Sequence, residues 1–255
     1  MLKNIVYRLY TMLYLIGIGL GDEKDITLKG LEIARLSDFV YLENYTSIIN
    51  VSIKKLEELY GKTVNAANRE LVESNRLVEL AKDKNVALLI IGDVFSATTH
   101  IDLMNRAREI NVRVEVVHNA SILTAIGITG LSLYKFGKVA SIPFDNKNID
   151  TPIRVLEENN GMHTLFLLDL RPDENRFMTI NDAIAYLLRF NKKCFTAETL
   201  CVGCCALGAK KQKIIAGKAS ELLVQKFDSY PQSLIVPGKL HFVEEDFLKL
   251  YGNHY

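Results

Sequence analysis

Apolar positions in the first half of the chain follow two alternating rhythms. Short apolar runs at 13–18 and 86–91 have the length and composition of strands buried on both faces. Between such runs lie stretches at helical spacing. In residues 70–83, Leu71-Val72, Leu77-Val78 and Leu80-Ala81 interleave with Glu73, Arg76, Glu79 and Lys82, so the charges form a solvated face. Read in order, the pattern predicts strands at 13–18, 39–42, 63–65, 86–91 and 113–117, with helices at 27–36, 51–60, 70–83 and 98–110. Strands interleaved with amphipathic helices specify a parallel α/β sheet.

The rhythm changes near residue 119. Strand 139–142 stops at Pro143, and helix 149–159, strand 164–170 and helix 179–191 follow. Strands 199–207 and 213–216 come next, then helix 218–227, strand 233–236 and helix 243–250. Strands that succeed one another without a helix pair antiparallel, so this half holds a mixed sheet. The expected organisation is an N-terminal extension at 1–11, an α/β domain at 12–119 and a second α/β domain at 120–255.

Chemistry concentrates where strands end. Run 86–91 empties into Gly92-Asp93-Val-Phe-Ser96, and open α/β sheets bind ligands at the carboxyl ends of their strands. Gly92 permits close backbone approach, Asp93 offers a carboxylate and Ser96 a hydroxyl, while Thr98 or Thr99 suits the N-cap of the next helix. A second glycine loop, Gly17-Ile-Gly-Leu-Gly21, follows strand 13–18. It departs from a dinucleotide fingerprint, because Asp22 holds the third glycine position and the acidic Asp22-Glu-Lys-Asp25 precedes the helix.

The 31 basic and 30 acidic side chains nearly cancel, so no global field favours nucleic acid or an anionic membrane. No apolar run approaches the roughly 20 residues of a membrane span, and residues 1–11 lack the apolar core and cleavage site of a signal peptide. Cys194, Cys201, Cys204 and Cys205 fall in or near a small apolar run, and the C-x-x-C among them has no second Cys/His pair. They read as structural thiols of a cytoplasmic protein, with no metal site. His100 and His241 have no carboxylate neighbour in sequence that would make a dyad, and no general base is named.

The segments Asp25-Ile-Thr-Leu-Lys-Gly-Leu-Glu-Ile-Ala34, Ala97-Thr-Thr-His100, Asn119-Ala-Ser-Ile122, Gly127-Ile-Thr-Gly130, Tyr134-Lys-Phe-Gly137, His163-Thr164 and Ile235-Val-Pro-Gly-Lys-Leu-His241 together carry a resemblance. From Met12 onward the chain resembles the diphthine synthases, in the tetrapyrrole-methylase-like class of S-adenosylmethionine methyltransferases. The resemblance implies two α/β domains with the cofactor in the cleft between them. It implies donor contacts at Leu20, Asp93, Ser96, Ser121, Ile122, Leu168, Leu207 and Gln232. Val94 stands where many relatives carry proline, and Gln232 where relatives can carry histidine. The implied reaction is methylation, to the trimethyl form, of the amino group of 2-(3-amino-3-carboxypropyl)histidine on elongation factor 2. The implied assembly is a homodimer. Two alternatives stand beside it: a tetrapyrrole methyltransferase, and a non-catalytic nucleotide-binding or redox module built on Gly17–Gly21 and the C-x-x-C.

Overall fold

Alternation along the central strands sets up the first layer of structure. The computed structural model describes residues 11–96 and 100–252, so residues 1–10 of the expected extension, and Thr98 and Thr99 as helix caps, lie outside the described residues. Strands β1 (Met12–Gly17), β2 (Phe39–Glu43), β3 (Val64–Ala67), β4 (Val86–Ile90) and β5 (Arg113–Val117) form one five-stranded sheet in the order β3-β2-β4-β1-β5. Every pairing in it is parallel. Leu13, Leu15, Val86, Leu88 and Ile90 face one core, with Leu103 and Ala107 of the helix at Ile101–Glu109. Tyr14, Ile16, Ala87 and Leu89 face the other, with Ile33 and Ala34 of the helix at Leu28–Leu36. Both faces are thus covered, as a parallel sheet requires.

Helices α1 (Leu28–Leu36) and α2 (Ile53–Tyr60) start at Thr27 and Ser52, and the Thr27 hydroxyl accepts from Gly30 N–H. The single helix expected at 70–83 is instead two short ones, α3 (Arg69–Glu73) and α4 (Arg76–Leu80). Ser74 breaks it. Its backbone is extended, and its hydroxyl donates to Leu71 O while accepting from Arg76 N–H at 3.3 Å. From α5 (Ile101–Glu109), Arg106 donates to the carbonyls of Val72 (2.8 Å) and Ser74, giving partners to part-buried carbonyls at the break.

The chain divides into two compact units between Ile122 and Leu123. At that junction lies a short helix, α6 (Ile122–Ala125), and single 3-10 turns follow at Ile126–Thr129 and Leu133–Lys135, which the hydrophobic pattern did not predict. The second sheet contains β6 (Ala140–Ile142), β7 (Thr164–Leu168), β10 (Leu200–Cys205), β11 (Lys213–Lys218) and β12 (Gln232–Val236) in the order β11-β10-β12-β7-β6. Only β6 and β7 pair parallel, and the other pairings are antiparallel, so the sheet is mixed. Strand 164–170 ends early, at Leu168. Asp169 turns its N–H to Ile142 O, and its carboxylate accepts from Phe144 N–H. Leu170–Arg171 (β8) then pairs with Arg176–Phe177 (β9) as a separate ribbon. Helices α7 (Thr151–Asn159), α8 (Ile180–Leu188), α9 (Ala219–Leu222) and α10 (Phe242–Leu248) complete the unit. Helix α9 is one turn, shorter than the expected 218–227.

Strand alternation also decides the cysteines. Cys201 and Cys205 enter the core that holds Phe166 and Ile180, and Cys204, three residues on from Cys201, faces the opposite side. The C-x-x-C thiols therefore cannot meet. All the cysteines are free, and burial pushes the thiols of Cys201 and Cys204 well above their ordinary range.

Candidate functional site

Strands β1 and β4 lie side by side, and their connections leave in opposite directions, to β2 and to β5. The two loops must cross just beyond the sheet. Glycine allows it: Gly92 N–H donates to Gly19 O at 2.8 Å and Gly19 N–H to Gly92 O at 3.3 Å, a two-bond bridge. Gly19 and Gly92 have φ of +77° and +84°, which L side chains rarely adopt. A Cβ on Gly17 would sit 2.7 Å from Gly92 O.

Carboxylates organise both loops. Asp25 Oδ2 accepts from Gly21 N–H at 2.7 Å and Leu20 N–H at 3.3 Å. A carboxylate thus already holds the amides to which a phosphate would bind, which argues against the nucleotide alternative. Asp93 is more fully engaged. Its Oδ1 accepts from Phe95 N–H (3.0 Å) and the Ser96 hydroxyl (3.1 Å); its Oδ2 accepts from Asn119 N–H (3.1 Å) and lies 2.8 Å from His118 Nδ1. The Asp93 side chain is only 10% exposed. Burial pushes its carboxyl upward, yet the amides of Phe95 and Asn119, with His118 and Ser96, outweigh burial and hold it below the usual carboxylate range. Asn119 adds a tie across the loops, donating its amide to Gly17 O and Asp25 O, each at 2.9 Å.

The expected contacts of the first unit gather around this crossing. The Leu20 side chain and the Ser121 Cα come within 3.6 and 3.9 Å of where a Gly92 Cβ would stand. Asp93 and Ser96 are the next turn of the same loop, and half-buried Ile122 follows Ser121 as the first residue of α6. The remaining three gather at one end of the second sheet. Leu168 closes β7, Gln232 opens β12 opposite Cys205, and Leu207 lies just past the end of β10. All three are buried. The Gln232 amide is taken up within the fold: its Oε1 accepts from Ile180 N–H, and its Nε2 donates to Phe227 O and Ser229 O.

Three histidines prove to have carboxylate partners that sequence proximity could not reveal. One is His118 beside Asp93, with a side chain 67% exposed. Another is His100, whose Nε2 lies 3.9 Å from Glu43 Oε2 in a buried pair at the carboxyl end of β2. Burial pushes the His100 imidazole below its ordinary value, opposed by Glu43. The third is His163, whose Nε2 is 3.2 Å from Glu244 Oε1 and whose Nδ1 accepts from Gly238 N–H. Glu244 also accepts from Ser132 N–H, His241 N–H and Lys135, and these donors outweigh its burial and hold its carboxyl far below the usual range. The motifs Tyr134–Gly137, His163-Thr164 and Pro237–His241 thereby join α10 to the β6–β7 edge, a structural role. Among the described residues no group of three or more His, Cys, Asp or Glu side chains is placed to hold a metal ion, and no helix is long and apolar enough to cross a membrane.

Comparison with known proteins agrees with this architecture. The profile for Tetrapyrrole (Corrin/Porphyrin) Methylases matches residues 12–223. The diphthine synthase of Methanocaldococcus jannaschii is 43% identical over 251 residues, covering 93% of this chain and 98% of its own. The diphthine methyl ester synthase of Homo sapiens is 41% identical over 271 residues, covering 94% and 95%. A crystal structure of diphthine synthase superposes with a TM-score of 0.89 at 36% identity, over 96% of this chain and 97% of that one.

Proposed function

Since the chain belongs to the tetrapyrrole methylase family, and within it to the diphthine synthases, we propose that it transfers the methyl group of S-adenosylmethionine to the amino group of 2-(3-amino-3-carboxypropyl)histidine on elongation factor 2, repeatedly, to the trimethyl form. The observation that carries this reading is the crossing of the two glycine loops, which gathers Leu20, Asp93, Ser96 and Ser121 at the carboxyl end of a parallel sheet. The donor has a sulfonium, an amino acid and an adenosine, and no phosphate. A strand-end loop with glycine backbone, a serine hydroxyl and a retained carboxylate fits it, whereas the amides of Leu20 and Gly21, held by Asp25, do not fit a phosphate. Leu20, Asp93, Ser96, Ser121, Ile122, Leu168, Leu207 and Gln232 are the contacts assigned to the donor. The polar atoms of Asp93 and Gln232 already have partners within the fold, so on this proposal Asp93 acts on the donor through its charge and Gln232 through its backbone or stem.

The bound donor supplies a methyl group activated by positive sulfur. What the chain supplies is placement: rigid loops, exclusion of water and a defined approach for the acceptor nitrogen. A second reading follows from the human relative, a diphthine methyl ester synthase at 41% identity. On that reading a carboxylate oxygen accepts a further methyl. A cytoplasmic homodimer belongs to the same proposal, with exposed Phe242, Val243 and Leu250 as apolar surface for the contact. Calorimetric titration tests the donor site. S-adenosylmethionine and its demethylated product should bind, and ATP should not. Binding of ATP alone would refute the assignment.

A further inference from the structure

Methylating an amine poses a proton problem that methylating a carboxylate does not. Near neutral pH a primary amine carries a proton, and its nitrogen has no lone pair with which to attack. We propose that His118, oriented by Asp93, is the base that takes this proton. The inference rests on the amine-methylation reading above and deepens it.

The geometry carries the assignment. Asp93 is held as a carboxylate by two backbone amides and a serine hydroxyl, so toward His118 it can only accept. The imidazole nitrogen 2.8 Å from Asp93 Oδ2, Nδ1, must then carry the hydrogen. In the neutral ring this leaves Nε2 with its lone pair, on a side chain 67% exposed, within reach of a residue presented by another protein. The Phe95 ring lies edge-on to the imidazole, with centroids 6.0 Å apart. This is the base-and-orienter arrangement in which a carboxylate fixes the tautomer of a histidine. The loop that bears the orienter is the loop that bears Ser96, so base and donor contacts are positioned by one carboxylate.

Among the described residues, the charged group in contact with His118 is Asp93, and the acidic groups of the adjoining segments have partners of their own. Asp93 faces it from the loop after β4. On the β1 loop, Asp25 is engaged by Leu20 and Gly21 amides, and on β5 itself Glu115 pairs with Lys29 at 2.6 Å. The step balances. The ammonium proton passes to His118 Nε2, and the freed lone pair forms the N–CH3 bond. As it forms, the methyl–sulfur bond breaks, and its electron pair stays on sulfur as the neutral thioether. His118 then releases the proton to water before the next round.

The test compares wild type with His118→Asn, whose side-chain amide can still donate to Asp93 but offers no basic nitrogen. Calorimetry should show donor affinity unchanged within about twofold, whereas methyl transfer at neutral pH should fall about a hundredfold or more, the usual range for a general base. The deficit should shrink as pH rises toward the pKa of the acceptor amine, and added imidazole should restore part of the activity. A deficit that is constant with pH, or an equal loss of donor affinity, would overturn the proposal. Nitrogen NMR of the wild type supplies a readout independent of activity: His118 should carry its hydrogen on Nδ1, and an Nε2–H tautomer would overturn the assignment. If wild type methylates only carboxylate oxygen, the amine reading itself has failed, an outcome separate from any effect of His118→Asn.

Discussion

Replacing Asp93 with asparagine changes almost no volume and removes one charge, which makes it a sharp probe of the loop crossing. Each carboxylate oxygen accepts from one backbone amide and one side chain, Phe95 and Ser96 on Oδ1, Asn119 and His118 on Oδ2. An asparagine can present its oxygen to one side only. On the other side its NH2 meets a serine hydroxyl that can rotate, or an imidazole that can change tautomer, and a backbone N–H that can do neither. One amide in a mostly buried position therefore loses its acceptor, at a cost of about 1–3 kcal/mol. Urea unfolding followed by circular dichroism at pH 7 should show Asp93→Asn destabilised by about 2 kcal/mol. The pH dependence follows from the depressed folded-state pKa of Asp93. A carboxylate of this kind adds stability above its unfolded value of about 3.9 and loses it as pH falls through the folded value. The gap between wild type and variant should narrow below about pH 4 as the protonated carboxyl comes to share the defect of the amide. A difference under about 0.5 kcal/mol at pH 7, or a gap that persists undiminished in acid, would refute this reasoning.

Further outcomes are expected elsewhere. Gly17→Ala places a methyl 2.7 Å from Gly92 O and should cost about 1–3 kcal/mol, read as a lowered Tm, together with weaker donor binding. Thiol reagents should modify native Cys201 and Cys204 only as fast as the fold opens, so labelling in mild urea should track unfolding and not thiol ionisation. Glu244→Gln should destabilise the second unit at neutral pH, and because the folded pKa of Glu244 is depressed, its contribution should fade as pH falls from about 4.3 through the folded value. A stability difference that grows on acidification would contradict that sign.

Much of the parallel sheet is legible from its periodicity, because strands buried on both faces are continuous apolar runs and their helices are amphipathic. Where the reading departs from the structure, the cause is a contact from far along the chain. The break at Ser74 is held open by Arg106, and the early end of β7 comes from Asp169 turning to Ile142 and Phe144. The short turns of 122–135 are too brief to carry a period. At the site, glycine beside aspartate at a strand end is visible in sequence. The tie between Asp93 and His118 is not, since 25 residues separate them and only the position of β4 and β5 on either side of β1 brings them together. Gln232 shows the opposite case: the resemblance implies a ligand contact there, and the fold engages its amide with three backbone groups.

Amine methylation of a modified histidine is tested most directly by mass spectrometry of elongation factor 2 bearing 2-(3-amino-3-carboxypropyl)histidine after incubation with the protein and S-adenosylmethionine. Successive methyl additions to the amino nitrogen, ending at the trimethyl form and slowed in Asp93→Asn, are the predicted result. A product methylated on a carboxylate oxygen alone, or no methyl transfer while a tetrapyrrole accepts the group, would contradict it.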